Sequence, residues 1–494
     1  MGSALPMKAS VDPSHAIDLT LHSELFMSQT AHKFDPTILR EYDIRGVVGT
    51  TLHAADARAI GRAFGTMVRR NGGKRVALGY DGRLSSPELA KACSEGLTST
   101  GLDVVEIGIA ATPMLYYAVW HLEADGGIQI TGSHNPPDFN GFKMMMGKKS
   151  FFGADIQELG KIAAKGDFET GQGKVEKKNI LADYAARLVK DVKPGRKLKV
   201  AWDTGNGAVG VSIRAVVEKL DGEHVILNEK VDGTFPAHHP DPTVPKNLEQ
   251  LVAEVKRRGC DLGIAFDGDG DRIGAVDGKG RILWGDQLLI LWARDVLKDR
   301  PGATIIADVK ASQALFDEVH RAGGTPLMWK TGHSVIKTKL AELKAPLAGE
   351  MSGHIFFADT FYGFDDALYC GLRLLNIVAN SKESLATMRD KLPRLVNTPE
   401  LRFDCADDRK FKIVDEVKAR LKKAGAKLID IDGVRVSTPD GWWLLRASNT
   451  QPVLVARCES ANEAGLERLK DDLKAALAAS GVSLPDEASD GHHH

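Results

Sequence analysis

The sequence lacks several features that mark whole classes of protein. Its five cysteines are scattered, odd in number and without a C-x-x-C pair, which argues against a disulfide framework or a zinc site and predicts reduced thiols in a cytoplasmic protein. No stretch approaches the roughly 18 apolar residues of a membrane span. Because 65 Lys and Arg residues balance 66 Asp and Glu residues, the charge indicates neither nucleic-acid nor membrane binding.

Internal repeats and targeting signals are missing as well. No period of about 20–50 residues and no low-complexity tract is present, which excludes a solenoid. The segment before about His32 is polar and has no apolar core of a secretory signal, and Gly491 to His494 resembles a truncated purification tag. Residues 1–33, a leader or tag expected to be disordered, and the tail 487–494 are therefore left out of the fold argument.

What is present is an ordinary globular composition, with 43% hydrophobic and 27% charged residues, long enough for about three to four domains. Short apolar runs alternate with amphipathic stretches, a pattern that predicts alternating strands and helices of α/β type. The predicted strands are 76–79, 128–130, 198–202, 262–266, 304–307 and 346–348. Predicted helices include 248–258 and 312–321.

The last hundred residues have a different pattern. Trp442–Leu445 and Val453–Ala456 flank a polar loop, as two strands of an antiparallel sheet do. A helix follows whose leucines at 466, 469, 473 and 477 share one face. These features predict a separate α+β domain from about residue 395.

The first polar loop runs from Thr131 to Pro137, directly after a predicted strand. Gly132 permits a tight turn and the prolines stiffen its exit, so we expect the Ser133 hydroxyl to be presented rather than buried. A serine nucleophile needs a base, and His134 and Lys143 are candidates, although a lysine is charged unless its pKa is depressed. A rigid turn in which Ser133 caps a helix is the alternative. The absence of G-x-S-x-G disfavours a hydrolase.

The second loop places Asp267, Asp269 and Asp271 at alternate positions, separated by glycines. Three carboxylates this close repel each other unless they share a cation, and oxygen ligands suit Mg²⁺ better than zinc or copper. An EF-hand loop would need glycine and glutamate where this chain has Arg272 and Gly278. A solvated acidic turn is the remaining alternative.

Two further loops follow predicted strands. Gly349 to His354 offers a carboxylate, a hydroxyl and an imidazole that suit sugar hydroxyls, although an incidental polar loop fits equally well. Arg446 to Pro452 offers a guanidinium, hydroxyls and an amide that suit a phosphate, although a turn with Arg446 in a surface ion pair fits equally well. Open α/β sheets bind ligands at the carboxyl ends of strands.

In this order TGSHNPPDFNGFK, DGDGDR, GEMSGH and RASNTQP resemble the four signature loops of the α-D-phosphohexomutases. EYDIRG (41–46) and WKTGHS (329–334) resemble the bacterial phosphomannomutase/phosphoglucomutase group of that family. The resemblance implies three similar α/β domains and a smaller α+β domain of TATA-binding-protein-like topology around a central cleft. We predict domain boundaries at 34–178, 179–281, 282–393 and 394–486, with one loop in each domain.

The resemblance also implies a role for each motif residue. Ser133 carries the phosphoryl group and, through a phosphoserine oxygen, joins Asp267, Asp269 and Asp271 in holding Mg²⁺. The other catalytic candidates are Lys143, Arg45, Arg272 and His354, with His134 retained as a base candidate from its position alone. The implied substrate-binding residues are Glu350 and Ser352 for sugar hydroxyls, Arg446, Ser448, Asn449 and Thr450 for the phosphate that stays, and Tyr42, Lys310 and His333 along the cleft.

The activity that the resemblance implies is reversible phosphoryl transfer between O1 and O6 of glucose and mannose phosphates. It implies a cytoplasmic monomer that needs Mg²⁺, is activated by glucose or mannose 1,6-bisphosphate, and supplies polysaccharide precursors. The alternatives are a phosphoglucosamine mutase or a phosphatase-like relative, but Met351 favours the glucose/mannose group because glucosamine enzymes resemble GEQSGH there. A non-catalytic sugar-phosphate-binding relative is expected to have lost Ser133 or an aspartate, and all four are present.

Overall fold

The computed structural model describes residues 30–483. The predicted tail, 487–494, and all of the predicted leader except residues 30–33 lie outside this range. Within it, the strands form four sheets, and each sheet is built from a continuous stretch of the chain.

The first sheet has seven strands in the order β1-β5-β4-β2-β3-β7, with β6 paired to β5. The strands are β1 (Ile44–Val47), β2 (Arg75–Tyr80), β3 (Asp103–Ile109), β4 (Gly126–Ile130), β5 (Phe139–Met146), β6 (Lys149–Phe151) and β7 (Val175–Lys177). The helices are α1 (Ala54–Arg70), α2 (Ser86–Thr98), α3 (Thr112–His121) and α4 (Ala154–Lys165). Since β4 is parallel to β2 and antiparallel to β5, the turns after β2 and β4 lie at the same edge.

The second sheet has five strands in the order β12-β11-β10-β8-β9. They are β8 (Leu198–Asp203), β9 (Gly222–Leu227), β10 (Leu262–Phe266), β11 (Ile273–Asp277) and β12 (Ile282–Leu283). Its helices are α5 (Leu181–Val189), α6 (Ile213–Val217) and α7 (Glu249–Arg258), with 3₁₀ turns at Ala208–Val211 and Pro245–Leu248. The aspartate loop is the turn between β10 and its antiparallel neighbour β11.

The third sheet has four strands in the order β14-β13-β15-β16. They are β13 (Thr304–Asp308), β14 (Thr325–Trp329), β15 (Leu347–Gly349) and β16 (Ile355–Phe357). Its helices are α8 (Gly285–Asp299), α9 (Gln313–Arg321), α10 (His333–Leu343), α11 (Ala367–Ala379) and α12 (Leu385–Asp390). The predicted sugar loop joins β15 to β16.

The fourth sheet is antiparallel and has six strands in the order β17-β22-β21-β20-β19, with β18 paired to β22. They are β17 (Val396–Asn397), β18 (Leu401–Asp404), β19 (Leu428–Ile429), β20 (Val434–Thr438), β21 (Gly441–Ala447) and β22 (Val453–Ser460). Its helices are α13 (Asp407–Lys423) and α14 (Glu463–Ala478). The antiparallel pair and the helix with four buried leucines predicted here are confirmed.

The four units are joined unequally. One apolar core cluster extends from Ala77 to Leu392 and includes side chains of the first three units. The fourth sheet has a core of its own, and it meets the third unit through a small cluster of Val309, Trp442 and Leu444. In the part of the chain that the structure describes, no helix is both long and apolar enough to span a membrane.

Candidate active site

Ser133 lies in the turn between β4 and β5, with its Oγ donating a hydrogen bond to Asp267 Oδ2 at 2.9 Å. The residue is only 1% exposed, so our expectation that its hydroxyl is presented was wrong. It is buried because the aspartate loop of the second sheet packs directly against the serine turn: a Cβ added to Gly268 would lie 2.4 Å from the Ser133 carbonyl oxygen. The helix-capping alternative fails, since β5 follows the turn.

The backbone of Ser133 is strained. Its φ is +49°, a left-handed conformation that costs a residue with a Cβ on the order of 1–3 kcal/mol. Such strain persists only where the surroundings hold the conformation, and it often marks a functional position. The strained backbone sets the direction in which the Ser133 side chain leaves the turn.

The three aspartates converge as predicted. Asp267, Asp269 and Asp271 are all fully buried, and one oxygen from each lies within 4.8 Å of the others. Asp267 Oδ1 accepts the backbone N–H groups of residues 270–272 at 3.0–3.1 Å, whereas Asp269 Oδ1 has no hydrogen-bond partner within residues 30–483. A dry set of carboxylate oxygens with an unpaired acceptor fits a hard divalent cation. The solvated-turn alternative is excluded.

Lys143 brings a positive charge to the aspartates. Its Nζ donates to Asp269 Oδ2 at 2.8 Å and also contacts Asp271 Oδ2. Burial lowers the pKa of this amine, but the neighbouring carboxylates outweigh burial and raise the pKa above its ordinary value. With these carboxylates ionised beside it, Lys143 is a cation.

The other titratable groups around Ser133 are one imidazole, which is neutral, and two guanidinium groups, which are charged. His134 Nδ1 lies 3.3 Å from Ser133 Oγ, and burial together with Arg272 and Arg45 holds its pKa well below the ordinary value. Arg45 donates to Asn135 Oδ1 at 3.0 Å and pairs with Asp43. The serine is thus flanked by a group that can accept a proton and by fixed positive charge.

His354 links the aspartate loop to the predicted sugar loop. Its Nε2 lies 3.3 Å from Asp271 Oδ1 and its Nδ1 lies 3.2 Å from Glu350 Oε2. Burial lowers the pKa of His354, but Asp271 and Glu350 raise it to about 9. The imidazole is therefore charged at neutral pH and can donate a proton on either side.

The other predicted residues of this loop lie nearby. Ser352 Oγ is 3.1 Å from His354 Nδ1, and Arg272 Nε is 3.4 Å from His354 Nε2. The His333 ring stacks on His354 with ring centroids 5.3 Å apart. The structure therefore brings together the residues predicted from the second and third loops.

The phosphate loop forms the other end of the site. Arg446 Nε donates to Asp432 Oδ2 at 3.1 Å, and Arg446 is only 5% exposed, so its ion pair is buried and not the surface pair considered as the alternative. Ser448 Oγ accepts the Thr450 N–H at 3.3 Å. Asn449 Nδ2 donates to the Tyr42 hydroxyl at 2.6 Å.

Tyr42 and Lys310 connect this loop to the other units. The Tyr42 hydroxyl donates to the Thr331 carbonyl at 2.7 Å, so one side chain of the first unit contacts the third and fourth units. Lys310 Nζ pairs with Glu400 at 2.9 Å across the junction of the third and fourth units. The residues predicted for the cleft therefore form two groups, one around Ser133 and the aspartates and one around Arg446. Tyr42 connects the two groups.

Sequence reasoning missed several residues that contact this machinery. Thr112 Oγ1 donates to Asp269 Oδ2 at 2.5 Å, Asp432 and Glu400 pair with predicted cations, and Asp365 pairs with Lys337 beside His333. A further one, Arg83, lies behind the Ser133 turn. The sequence did contain a signal for Arg83. Asp81-Gly82-Arg83 is a polar loop that follows the predicted strand 76–79, and the other functional loops also follow predicted strands.

Comparison with known proteins identifies the class. Four family models match in order: the α/β/α domains I, II and III of phosphoglucomutase/phosphomannomutase at residues 36–170, 182–280 and 284–396, and its C-terminal domain at 400–476. Three α/β/α domains followed by a different C-terminal domain agree with the sheets described above.

Individual relatives cover most of the chain. A phosphomannomutase/phosphoglucomutase of Pseudomonas putida is 47% identical over 89% of this chain and 95% of its own length, and a phosphoglucomutase of Neisseria meningitidis serogroup A is 45% identical over 89% and 96%. The crystal structure of a phosphoglucomutase/phosphomannomutase family protein from Burkholderia thailandensis has a TM-score of 0.86 and 46% identity, covering 92% of this chain and 99% of that one. The chain belongs to the phosphoglucomutase/phosphomannomutase family.

Proposed function

We propose that the protein interconverts hexose 1-phosphates and hexose 6-phosphates of glucose and mannose through a phosphorylated Ser133. The observation that carries this proposal is the hydrogen bond from the buried, strained Ser133 hydroxyl to one of three convergent buried carboxylates. A serine hydrolase is disfavoured because the chain has no G-x-S-x-G motif, and the Ser133 hydroxyl lies in a buried site lined by fixed charges. Such a site suits a serine that repeatedly carries a phosphoryl group.

Asp267, Asp269 and Asp271 would hold Mg²⁺, because their oxygens converge and Asp269 Oδ1 has no other partner among the described residues. When bound, the cation withdraws charge from the phosphoryl oxygens, which lowers the barrier for their transfer. The Ser133 oxygen already lies against this carboxylate set, so a phosphoserine there would complete the ligands.

The side chains around Ser133 would position and neutralise the transferred group. Phosphoryl transfer depends mainly on positioning and on charge stabilisation of the equatorial oxygens, and the Lys143 ammonium and the Arg45 guanidinium supply fixed positive charge. His354 is charged at neutral pH and would give a proton to the sugar oxygen. His134 is held neutral and is the candidate to accept one.

The reaction would run in two halves. Phospho-Ser133 gives its group to O6 of a hexose 1-phosphate, which forms a 1,6-bisphosphate and leaves the free serine. The bisphosphate turns over, and Ser133 then takes the phosphoryl group from O1. Glu350 and Ser352 would bind sugar hydroxyls in both orientations, while Arg446 and residues 448–450 would bind whichever phosphate is not transferred.

This assignment brings further components with it. A trace of glucose or mannose 1,6-bisphosphate would activate the enzyme by phosphorylating Ser133. Tyr42, Lys310, His333 and Arg272 would line the path of the sugar phosphate.

We infer domains at 34–178, 179–281, 282–393 and 394–486, each contributing one loop. The free cysteines are consistent with work in the cytoplasm, where small hexose phosphates are found, and a monomer is the expected state.

The test uses purified protein with Mg²⁺ and a trace of glucose 1,6-bisphosphate. Glucose 1-phosphate, mannose 1-phosphate and glucosamine 1-phosphate are supplied separately, and formation of each 6-phosphate is followed. We expect turnover of glucose 1-phosphate and mannose 1-phosphate. Turnover of glucosamine 1-phosphate alone would show a phosphoglucosamine mutase instead, and turnover of none would refute the proposed function.

A further inference from the structure

Arg83 is a fully buried arginine behind the Ser133 turn. Its side chain has 0% exposure, and it lies in the turn that follows β2, at the same edge of the sheet as the turn that follows β4. A buried guanidinium is costly unless its donors are paired. The groups that pair with the Arg83 guanidinium therefore indicate what this residue does.

The guanidinium of Arg83 binds the backbone of the Ser133 turn. Nη2 donates to the carbonyl of Ser133 at 2.8 Å and to that of Asn135 at 2.6 Å. Nη1 donates to the carbonyl of Phe139 at 3.0 Å and also to that of Pro136. One side chain thus holds four carbonyl groups of a single turn, a geometry that the planar fork of arginine permits and the ammonium of lysine does not.

Asp81 completes this arrangement from the other side. Its Oδ2 accepts the N–H of Gly132 at 3.1 Å and the Arg83 Nε–H at 3.2 Å. Its Oδ1 accepts the Ser86 hydroxyl at 2.6 Å. The Asp81–Arg83 pair therefore fixes the backbone on both sides of the Ser133 Cα, the preceding N–H and the following carbonyl.

Two features show how closely the turn fits this pair. A Cβ added at Gly132 would lie 2.4 Å from the Arg83 guanidinium, so only glycine fits there. Ser133 has a φ of +49°, a strained conformation for a residue with a Cβ. Hydrogen bonds from a charged donor are stronger than those between neutral groups, so the contacts of Arg83 can hold the strained conformation.

The second unit covers Arg83 from outside. The Phe235 ring centroid lies 5.2 Å from the guanidinium carbon, and Gly233 packs so closely on Arg83 that an added Cβ would lie 2.5 Å from the arginine Cα. The same unit carries the aspartate loop. Arg83 therefore holds the serine turn in a fixed position relative to the unit that carries Asp267.

We propose that Arg83, held by Asp81, is the positioning residue that keeps Ser133 in the strained conformation from which it exchanges the phosphoryl group. This proposal rests on the proposed function, because it assumes that Ser133 is the phosphoryl carrier. Without the guanidinium the turn relaxes towards negative φ, and Oγ moves away from Asp267. A misplacement of about 1 Å at a reacting atom costs on the order of 100-fold in rate.

The test compares wild-type protein with Arg83→Lys, which keeps the charge but not the fork. We expect kcat with glucose 1-phosphate to fall about 100-fold, while KM stays within about twofold because the phosphate loop belongs to the fourth unit. Phosphorylation of Ser133 by glucose 1,6-bisphosphate, followed by intact-protein mass spectrometry, should slow in parallel. Arg373→Lys is the matched control, since Arg373 is a buried arginine whose guanidinium pairs with Asp359 in the third unit.

A second measurement separates positioning from activity. Amide hydrogen exchange should become faster in a peptide covering 131–139 of the Arg83→Lys variant and remain unchanged in a peptide covering 262–277. If Arg83→Lys does not fold, Asp81→Asn serves in both measurements, since it removes the charge that holds the fork. An inactive wild-type enzyme would overturn the proposed function, whereas an active wild type with an equally fast variant and unchanged exchange would overturn the role of Arg83.

Discussion

The Ser133 end and the phosphate-loop end of the site are held in place by different forces. The first belongs to units joined by one apolar cluster, in which Tyr184, Trp202 and Trp292 are buried together, and the first unit has a second core of its own. The second belongs to the fourth unit, which has its own core. Burial of apolar surface is non-directional and cooperative, so the first three units are expected to behave as one body.

The fourth unit joins that body mainly through polar contacts. Arg435 donates to the carbonyls of Val309 and Ala311 at 2.7 and 2.8 Å and lies 3.6 Å from the centre of the Trp442 ring. The Lys310–Glu400 ion pair lies at the same junction. Polar interfaces between domains permit relative motion more readily than large apolar ones.

This difference predicts a division of labour. Changes at the Ser133 end should act on the chemical step, because the strained serine, the aspartates and Lys143 are positioned by a rigid core. Changes at the phosphate-loop end should act on binding, because its proposed contacts are to the phosphate that is not transferred. Variants at the two ends of the site test this division, and the largest effect on activity is expected at Ser133.

The largest effect is expected for Ser133→Ala. Without its nucleophile the enzyme should lose about 10⁴-fold or more in kcat, and no phosphate should appear on the protein after incubation with glucose 1,6-bisphosphate. The thermal unfolding midpoint should stay close to that of the wild type, since one hydroxyl is removed. An unchanged rate would contradict the phosphoryl-carrier role.

A smaller but still large effect is expected for the loss of the cation. Treatment with a chelator should lower kcat on the order of 100-fold or more, and Mg²⁺ should restore it. In Asp269→Asn the heat of Mg²⁺ binding measured by calorimetry should disappear, whereas Glu218→Gln, an exposed change in the same unit, should bind Mg²⁺ normally. Equal binding by both variants would argue against the aspartate site.

At the other end of the site, Arg446→Met should raise KM for glucose 1-phosphate about 10- to 100-fold, because a charge-assisted contact to phosphate is lost. The value of kcat should change by less than about threefold, since Ser133 is untouched. Arg409→Met removes an exposed arginine of the same unit that pairs with Glu416 and serves as the control. A fall in kcat with constant KM would break the proposed division.

The smallest effect on activity is expected at Asp366, which is buried where the second and third units share their core. It accepts the Tyr184 hydroxyl at 2.8 Å and the Tyr369 N–H at 2.9 Å, and burial raises its pKa to about 7. The folded state therefore keeps a proton that the unfolded state releases above pH ~4. The stability that this proton contributes is present at low pH and is lost as the pH rises towards 7.

Asp366→Asn tests this dependence. Between pH 5 and pH 8 the wild type should lose about 2 kcal/mol of unfolding free energy relative to the variant, measured by denaturant unfolding followed by tryptophan fluorescence. Activity at pH 7 should differ by less than about twofold. A constant difference across this range would show that the carboxyl group is ionised in the folded protein throughout.

Much of the architecture could be predicted because local patterns determine strands and the loops that follow them. The apolar run 262–266 coincides with β10, and 128–130 lies within β4. The alternation of aspartate and glycine after β10 led to the prediction of a cation site, since three carboxylates this close repel each other unless positive charge lies among them. The order of the four loops then indicated the family.

The environment of each side chain could not be predicted in this way. Ser133 was expected to be presented, yet Asp267 and Gly268, more than a hundred residues later, bury it. Lys143 and Thr112 both bind Asp269, and nothing in their local sequence indicates that carboxylate. The charge states of His134 and His354 differ because the first is buried beside cations and the second between two carboxylates.

The sequence by itself determined which residue types stand at the ends of the strands, and therefore the kind of chemistry the protein can perform. Strand periodicity and turn chemistry act over a few residues, so they can be inferred from the chain alone. The tertiary structure decided that Ser133 is buried and strained, that Arg83 holds its backbone, and that the fourth unit joins the others through polar contacts. These properties depend on groups far apart in the chain, because burial, charge and strain are set by whatever packs nearby in space.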